Sequence, residues 1–151
     1  MNDYELMRRR ENQRPEKTYE LPDSQEFLKT RRALILEDDG GLADILKEAL
    51  EGRGYVVTVV TNGAEGLKRV LADEFEIILC DMVMPNFPGD MFYLAVERAR
   101  PHLCNRFIFM TGHQGDRKIE QFIRRIRGLM LWKPFEIHVL FDAIKVVENK
   151  K

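Results

Sequence analysis

The chain has 151 residues, a formal net charge of −1 at neutral pH and 44% hydrophobic residues, which suits one domain of ordinary size with a short extension. The balanced charge excludes a general attraction to nucleic acid or to an anionic membrane, and no apolar run approaches the roughly 20 residues that a membrane-spanning helix needs. The two cysteines, Cys80 and Cys104, have no metal-binding spacing and suit a reducing compartment. We therefore expect a cytoplasmic protein that binds neither nucleic acid directly nor a membrane.

The first 31 residues differ in composition from the rest of the chain. They are rich in Arg, Glu, Gln and Asp, and their scattered apolar residues follow no sustained period. The opening residues also lack the apolar stretch of a signal peptide. We expect a charged arm or linker over 1–31, either flexible or docked as a short helix, then one domain over 32–148 and a tail over 149–151.

From residue 33 onward, apolar runs alternate with stretches of helical spacing. Five runs predict strands, over residues 33–36, 55–60, 76–80, 106–110 and 129–132. The stretches between and after them predict five helices. The first runs from Leu42 to Leu50 with a stop at Gly52 and Gly54, and the second begins at a cap formed by Asn62 and Glu65. The third runs from near Asp90 to before Pro101, the fourth passes through Ile119 and Ile126 with a stop at Gly128, and the fifth runs from Ile137 to Ile144. Five such units with short connections predict an α/β fold, a parallel sheet with helices on both faces.

Chemically active residues follow the predicted strands. In a fold of this kind, ligands bind beyond the carboxyl ends of the strands. In strand order, the residues found there are Glu37, Asp38 and Asp39; Thr61; Asp81; Thr111 and Gly112; and Lys133. Segments far apart in the sequence thus bring acids, a hydroxyl and an ammonium to one edge of one sheet.

This set of side chains predicts phosphoryl chemistry. Clustered carboxylates suit a hard divalent cation such as Mg²⁺, which prefers a few carboxylates, a backbone carbonyl and water. A carboxylate beside Mg²⁺ can act as a nucleophile toward phosphorus. The transferred group then needs positive charge and hydrogen-bond donors, which Lys133, Thr111 and the backbone N–H groups near Met82 and Gly112 would supply.

Four motifs together resemble a known family, the response-regulator receiver domains of two-component signalling. They are ALILEDD (33–39), CDMVMP (80–85), FMTG (109–112) and LWKPF (131–135), and the resemblance covers residues 32–148. It implies a doubly wound, flavodoxin-like (βα)5 fold whose five-stranded parallel sheet has the order 2-1-3-4-5. It also implies a Lys133–Pro134 bond in the cis form, an isomer that only proline makes common.

The resemblance assigns roles to individual residues. Asp81 is the expected phosphoacceptor, receiving a phosphoryl group from a histidine kinase or a histidine phosphotransfer protein. Thr111 is the expected switch hydroxyl and Lys133 the phosphate-pairing lysine. The expected Mg²⁺ ligands are Asp38 directly, Glu37 largely through water, Asp81, and the backbone carbonyl of Val83.

Two positions depart from the family pattern. Met130 stands where the family usually has a tyrosine or phenylalanine that reports phosphorylation, although methionine can also repack. The Val83 side chain offers an attacking water no hydrogen bond, and we therefore expect slow autodephosphorylation. His113, two residues after Thr111 in the sequence, could offer one.

A partner surface is expected on helix four, strand five and helix five. The predicted fourth helix has a basic excess, from Arg117, Lys118, Arg124, Arg125 and Arg127 against Asp116 and Glu120. A solvated face is the simpler explanation of that excess, and Arg124→Glu distinguishes the two because only a docking role makes it weaken partner binding without lowering phosphorylation. A homodimer is also possible on this pattern. His102 and His138 have no identifiable partner in the sequence.

Three other functions stay open at this point. One is a degenerate receiver that acts as a phosphorylation-independent scaffold, which Met130 allows. A second is a phosphatase with an aspartate nucleophile, which normally needs a second acid where this chain has Val83. A dinucleotide-binding domain is weakest, because no G-x-G-x-x-G follows the first strand. The receiver itself is expected to be either stand-alone or part of a longer chain such as a hybrid sensor kinase.

Overall fold

The structure is a computed structural model, and it describes residues 30–150. The arm predicted over 1–31 therefore lies almost entirely outside the described residues, as does Lys151. No helix within 30–150 has both the length and the apolar character needed to cross a membrane.

Five parallel strands form one sheet in the order β2-β1-β3-β4-β5, which confirms the predicted fold. The strands are β1 Arg31–Leu36, β2 Tyr55–Val60, β3 Ile77–Asp81, β4 Phe107–Thr111 and β5 Leu129–Trp132. The central strand β3 is buried along its whole length, as its run of apolar residues predicts. The winding reverses between β1 and β3, so the edge beyond these two strands is where a ligand site is expected.

Within residues 30–150, five α-helices and one 3₁₀ helix connect and flank the strands. They are α1 Gly40–Glu51, α2 Gly63–Ala72, α3 Gly89–Ala99, the 3₁₀ helix Pro101–Arg106, α4 Arg117–Ile126 and α5 Ile137–Glu148. The predicted cap of α2 is present, because the Asn62 side chain accepts a hydrogen bond from the Glu65 N–H at 3.0 Å. The α1 cap is Asp39, whose Oδ1 accepts from the N–H groups of Gly41 and Leu42.

The helices cover the sheet in two layers. Helices α2, α3 and α4 bury one face against side chains such as Leu34 and Phe109. Helices α1 and α5 bury the other face against Ile35, Leu79 and Ile108. Alternate residues of each strand supply the two layers, and this fixes the register in which the strand ends meet.

The strands extend past the apolar runs that predict them. Strand β1 begins at Arg31, two residues early, because Arg31 and Arg32 continue the pairing with β2 while their side chains stay exposed. Strands β3 and β4 each end one residue later than expected, at Asp81 and Thr111. Asp81 and Thr111 are therefore the last residues of β3 and β4, and strand pairing fixes the position of their backbones.

Candidate phosphoryl site

Three carboxylates meet at the carboxyl edge of the sheet. Glu37 and Asp38 directly follow β1, and Asp81 ends the neighbouring strand β3. One oxygen from each of the three carboxylates lies within 4.8 Å of the others. Glu37 and Asp81 are 1% and 5% exposed, whereas Asp38 is exposed. The sequence prediction that these acids converge is therefore matched by the geometry.

Lys133 brings positive charge to these acids from the far edge of the sheet. Its Nζ lies 2.7 Å from Glu37 Oε2 and 3.1 Å from Asp81 Oδ2. Its backbone N–H donates to the Thr111 carbonyl at 2.8 Å, which aligns the end of β5 with the end of β4. The Lys133–Pro134 peptide bond is cis, as the sequence motif implies.

The pKa values of Lys133 and Glu37 reflect two opposing effects, burial and the charge of neighbouring groups. Burial alone would lower the pKa of Lys133, but its hydrogen bond to Glu37 and the charge of Asp81 outweigh burial, so that the Lys133 pKa is raised. Burial raises the pKa of Glu37, and repulsion from Asp81 adds to this, against the hydrogen bonds from Lys133 and the Asp39 N–H. Lys133 thus stays protonated at neutral pH and holds the two carboxylates together.

The second oxygen of Asp81 is held by the turn that follows it. Asp81 Oδ1 accepts a hydrogen bond from the Val83 N–H at 3.0 Å. The Met82 N–H instead donates to the Met110 carbonyl of β4 at 2.8 Å. The N–H group directed at the Asp81 carboxylate is therefore that of Val83, and the role predicted for the Met82 N–H gains no support from this geometry.

Thr111 ends β4, next to the strand that carries Asp81. Its side chain is fully buried, and its Oγ1 accepts from the His113 N–H at 3.1 Å. Gly112 is exposed, and apart from its chain neighbours a Cβ built there meets only the Lys133 Cβ among the described residues, at 3.9 Å. No other described segment therefore crowds Gly112.

The donor set fits a divalent cation of the Mg²⁺ type. Three carboxylates converge with one ammonium between two of them, which leaves a net negative charge in a mostly buried cluster. Oxygen donors are the ligands that Mg²⁺ prefers, and the exposed Asp38 leaves a side open for retained water. Glu37, Asp38 and Asp81 are the side chains that would hold the ion, and the Val83 carbonyl as a further ligand stays a prediction.

Sequence reasoning missed two features of the site. Asp39 belongs to the same acidic run as Glu37 and Asp38, yet its carboxylate caps α1. Gly89 packs so closely on the end of β3 that a Cβ there would lie 2.7 Å from the Asp81 carbonyl oxygen and 2.9 Å from Met82 Cα. A glycine after proline at the start of a helix was the available signal, but it does not specify what the glycine approaches.

Met130 and the two unassigned histidines also have defined positions. Met130 is half-buried and, with Trp132, lines a groove of about 300 Å³ between α4 and β5 whose other lining residues are Ile119, Glu120, Ile123 and Arg124. His102 Nε2 lies 3.1 Å from the Glu74 carboxylate, and His138 Nδ1 lies 3.0 Å from Glu136. Both histidines therefore have carboxylate partners that the sequence did not reveal.

Comparison with known proteins gives one consistent result. The profile of the response regulator receiver domain matches residues 33–145. The response regulator receiver protein CpdR of Brucella abortus (strain 2308) is 35% identical over 115 residues, which are 76% of this chain and 94% of that protein. The sensor kinase CckA of the same organism is 28% identical over 120 residues, which are 78% of this chain but 12% of that protein. Among solved structures, a CheY-like receiver domain protein from Methanospirillum hungatei JF-1 superposes with a TM-score of 0.73 at 25% identity, covering 81% of this chain and 96% of that one.

Proposed function

The chain belongs to the response regulator receiver domain family, and from that premise we propose that it is a phosphoacceptor module of a two-component or phosphorelay system. Asp81 accepts a phosphoryl group from a phosphohistidine on a histidine kinase or a histidine phosphotransfer protein. The phosphorylated form then has a changed affinity for a downstream protein. The chain serves this role either alone or as one domain of a longer protein such as a hybrid sensor kinase.

One observation carries the proposal: the Asp81 carboxylate is held on both of its oxygens. Lys133 holds Oδ2 and the Val83 N–H holds Oδ1. A nucleophile fixed in this way needs little reorientation before it attacks. Because Asp81 ends a buried central strand, the donor approaches from the carboxyl edge of the sheet only.

The proposed transfer forms a bond from an Asp81 oxygen to phosphorus while the bond from phosphorus to the donor imidazole breaks. The Lys133 ammonium has three N–H donors, and within residues 30–150 Glu37 and Asp81 use two of them, which leaves the third to pair with an equatorial phosphoryl oxygen. A Mg²⁺ ion bound by Glu37, Asp38 and Asp81 would supply further positive charge against the oxygens of the transferred group. The departing imidazole keeps the electron pair and takes its proton from solvent.

Thr111 links this chemistry to a change of shape. Its hydroxyl oxygen accepts from the His113 N–H, which leaves the hydroxyl proton free to be donated. A phosphoryl group on Asp81 is an acceptor for that proton and draws Thr111 with the following loop toward β3. The loop leads directly into α4, so the proposed readout is the surface formed by α4, β5 and α5.

The decisive experiment is intact-mass spectrometry of the full-length protein after incubation with Mg²⁺ and acetyl phosphate. We expect one added phosphoryl group in the wild type and none in Asp81→Asn. Asp39→Asn is the matched control, because Asn also caps a helix, and it should take up phosphate as the wild type does. A wild type that never gains phosphate would contradict the proposal and favour the phosphorylation-independent scaffold.

A further inference from the structure

Within the described residues, strand β2 is an edge of the sheet, and its sequence lacks the features that usually protect such an edge. Within residues 30–150 it pairs with β1 alone. Its sequence, YVVTVV, has six residues that all favour strands, with no charge and no proline. Natural edge strands are generally short or interrupted by lysine, proline or a bulge, because unpaired backbone groups otherwise recruit another strand. β2 has none of these features.

The hydrogen-bond register identifies which backbone groups face outward. The Val60 carbonyl accepts from the Glu37 N–H at 3.1 Å, so Val60 directs its backbone groups toward β1. In a parallel ladder, alternate residues direct both backbone groups to the same side. Val56 and Thr58 therefore also face β1, and the outward-facing residues are Tyr55, Val57 and Val59.

Exposed apolar side chains occur on the strand and on the two helices packed against it. Val56 of β2 is 51% exposed. Ile45 of α1 and Leu71 of α2 are 56% and 57% exposed. A partner strand laid along β2 would therefore meet the exposed Val56 side chain as well as unpaired backbone groups.

We propose that β2 is a self-association surface, at which two copies of this chain pair their β2 strands antiparallel about a two-fold axis to form one continuous ten-stranded sheet. With Val57 opposite its own copy, Tyr55 lies opposite Val59, and every outward-facing residue finds a hydrogen-bonding mate. The same register sets the exposed Val56 beside Thr58 of the other copy on one face of the sheet.

A second copy is favoured over an unrelated peptide by the strand itself. Symmetric pairing places Val57 opposite its own copy and Val56 diagonally across from its own copy, so a charged residue at either position would repel its duplicate. The uncharged YVVTVV run carries no such penalty and is complementary to itself. Strand β1 lies between β2 and β3, the strand that Asp81 ends, so the paired β2 strands do not contact Asp81.

Sedimentation velocity of the full-length protein over a range of concentrations tests the proposal. We expect a reversible monomer–dimer equilibrium for the wild type. Val57→Pro removes an outward-facing N–H without removing a bond to β1, a position that edge strands tolerate, and should weaken dimerisation at least about tenfold. Val57→Thr keeps the N–H and the strand preference and should dimerise like the wild type.

A second pair of variants keeps the test valid if Val57→Pro fails to fold. Val56→Lys places a charge beside the two-fold axis and should also shift the protein to monomer, with circular dichroism showing an intact fold. Val139→Lys is the matched control, since Val139 is also exposed, at 38%, and lies in the first turn of α5, the helix that packs against β4 and β5; it should leave the dimer unchanged. A wild type that stays monomeric, a Val56→Lys protein that still dimerises, or dissociation by Val139→Lys would each overturn the proposal.

Discussion

The residue that most tightly constrains the phosphoacceptor is one without a side chain. Gly89 begins α3 and lies against the end of β3, and its N–H donates to the Met82 carbonyl at 3.2 Å. The turn between Asp81 and Gly89 can close this tightly because no Cβ separates the two segments. The position of the Val83 N–H, and thus of the Asp81 carboxylate, depends on that closure.

Replacing Gly89 by alanine should therefore destabilise the protein. A Cβ 2.7 Å from a backbone oxygen forces the chain to move, and such overpacking costs about 1–3 kcal/mol. Urea unfolding followed by circular dichroism measures the loss. Gly112→Ala is the control, because its Cβ makes only an ordinary contact at 3.9 Å, and it should change the free energy of unfolding by less than about 0.5 kcal/mol. Equal stability of the two variants would contradict the assigned role of Gly89.

Val83 sets the lifetime that we expect for the phosphorylated state. Its side chain is 44% exposed beside Asp81 and offers an attacking water no hydrogen bond. Val83→Asn adds an amide that can orient the water, so phosphate release from the purified phosphoprotein should accelerate by at least about tenfold. Val83→Leu keeps the side chain apolar and should leave the rate near that of the wild type. An unchanged rate in Val83→Asn would mean that access, and not orientation, limits hydrolysis.

At the scale of elements, the end of α4 differs from the helix end that a glycine predicts in the sequence. The predicted stop at Gly128 is one residue late, because the left-handed residue that ends the helix is Arg127, with a φ of 54°. Gly128 instead donates its N–H to the Ile123 carbonyl and packs against the Phe109 ring. Glycine is the usual residue at a left-handed helix end, so the sequence favoured the wrong position.

The left-handed conformation of Arg127 predicts a stabilising substitution. Arg127→Gly relieves the Cβ strain and should raise the free energy of unfolding by about 0.5–1 kcal/mol, measured by urea unfolding. Arg125→Gly is the matched control inside the same helix and should lower it by about 1 kcal/mol. If both variants lose stability, the left-handed geometry carries no strain at this position.

The 3₁₀ helix and its contacts could not be predicted from the sequence, for a different reason. Glu74 accepts from Arg100, His102 and Arg106, and Arg100 also donates to the Val70 and Asp73 carbonyls at the end of α2. These are polar contacts between segments about 30 residues apart. Apolar periodicity does not encode them, whereas the strands and long helices follow directly from that periodicity.

At the scale of the whole molecule, the sequence predicts which residues meet at the site but not which hydrogen bonds they form there. Glu37, Asp81 and Lys133 could be placed together because parallel strands end at one edge. The individual hydrogen bonds could not be predicted, because they depend on which acceptor each donor reaches. The Val83 N–H and the Met82 N–H are neighbours in sequence, and only the strand register shows that one serves Asp81 and the other serves β4.

Cation binding should stabilise the whole domain. A ligand that binds only the folded state at one hundred times its dissociation constant adds about 2.7 kcal/mol, so saturating Mg²⁺ should raise the melting temperature by several degrees. Asp38→Asn should remove most of that shift, and because Asp38 is exposed the substitution leaves no buried group unpaired. Asp39→Asn keeps the α1 cap and should keep the shift. An identical Mg²⁺ response in Asp38→Asn would exclude this cluster as the binding site.

Trp132 is the single tryptophan of the chain. It pairs in register with Thr111, directly precedes Lys133, and lines the groove between α4 and β5. Its indole is therefore a native fluorophore placed between the phosphoryl site and the surface proposed to signal. When the indole is excited selectively over the four tyrosines, emission comes from Trp132 alone, so a spectral change in stopped flow measures how fast the signal travels from the phosphoryl site to that surface.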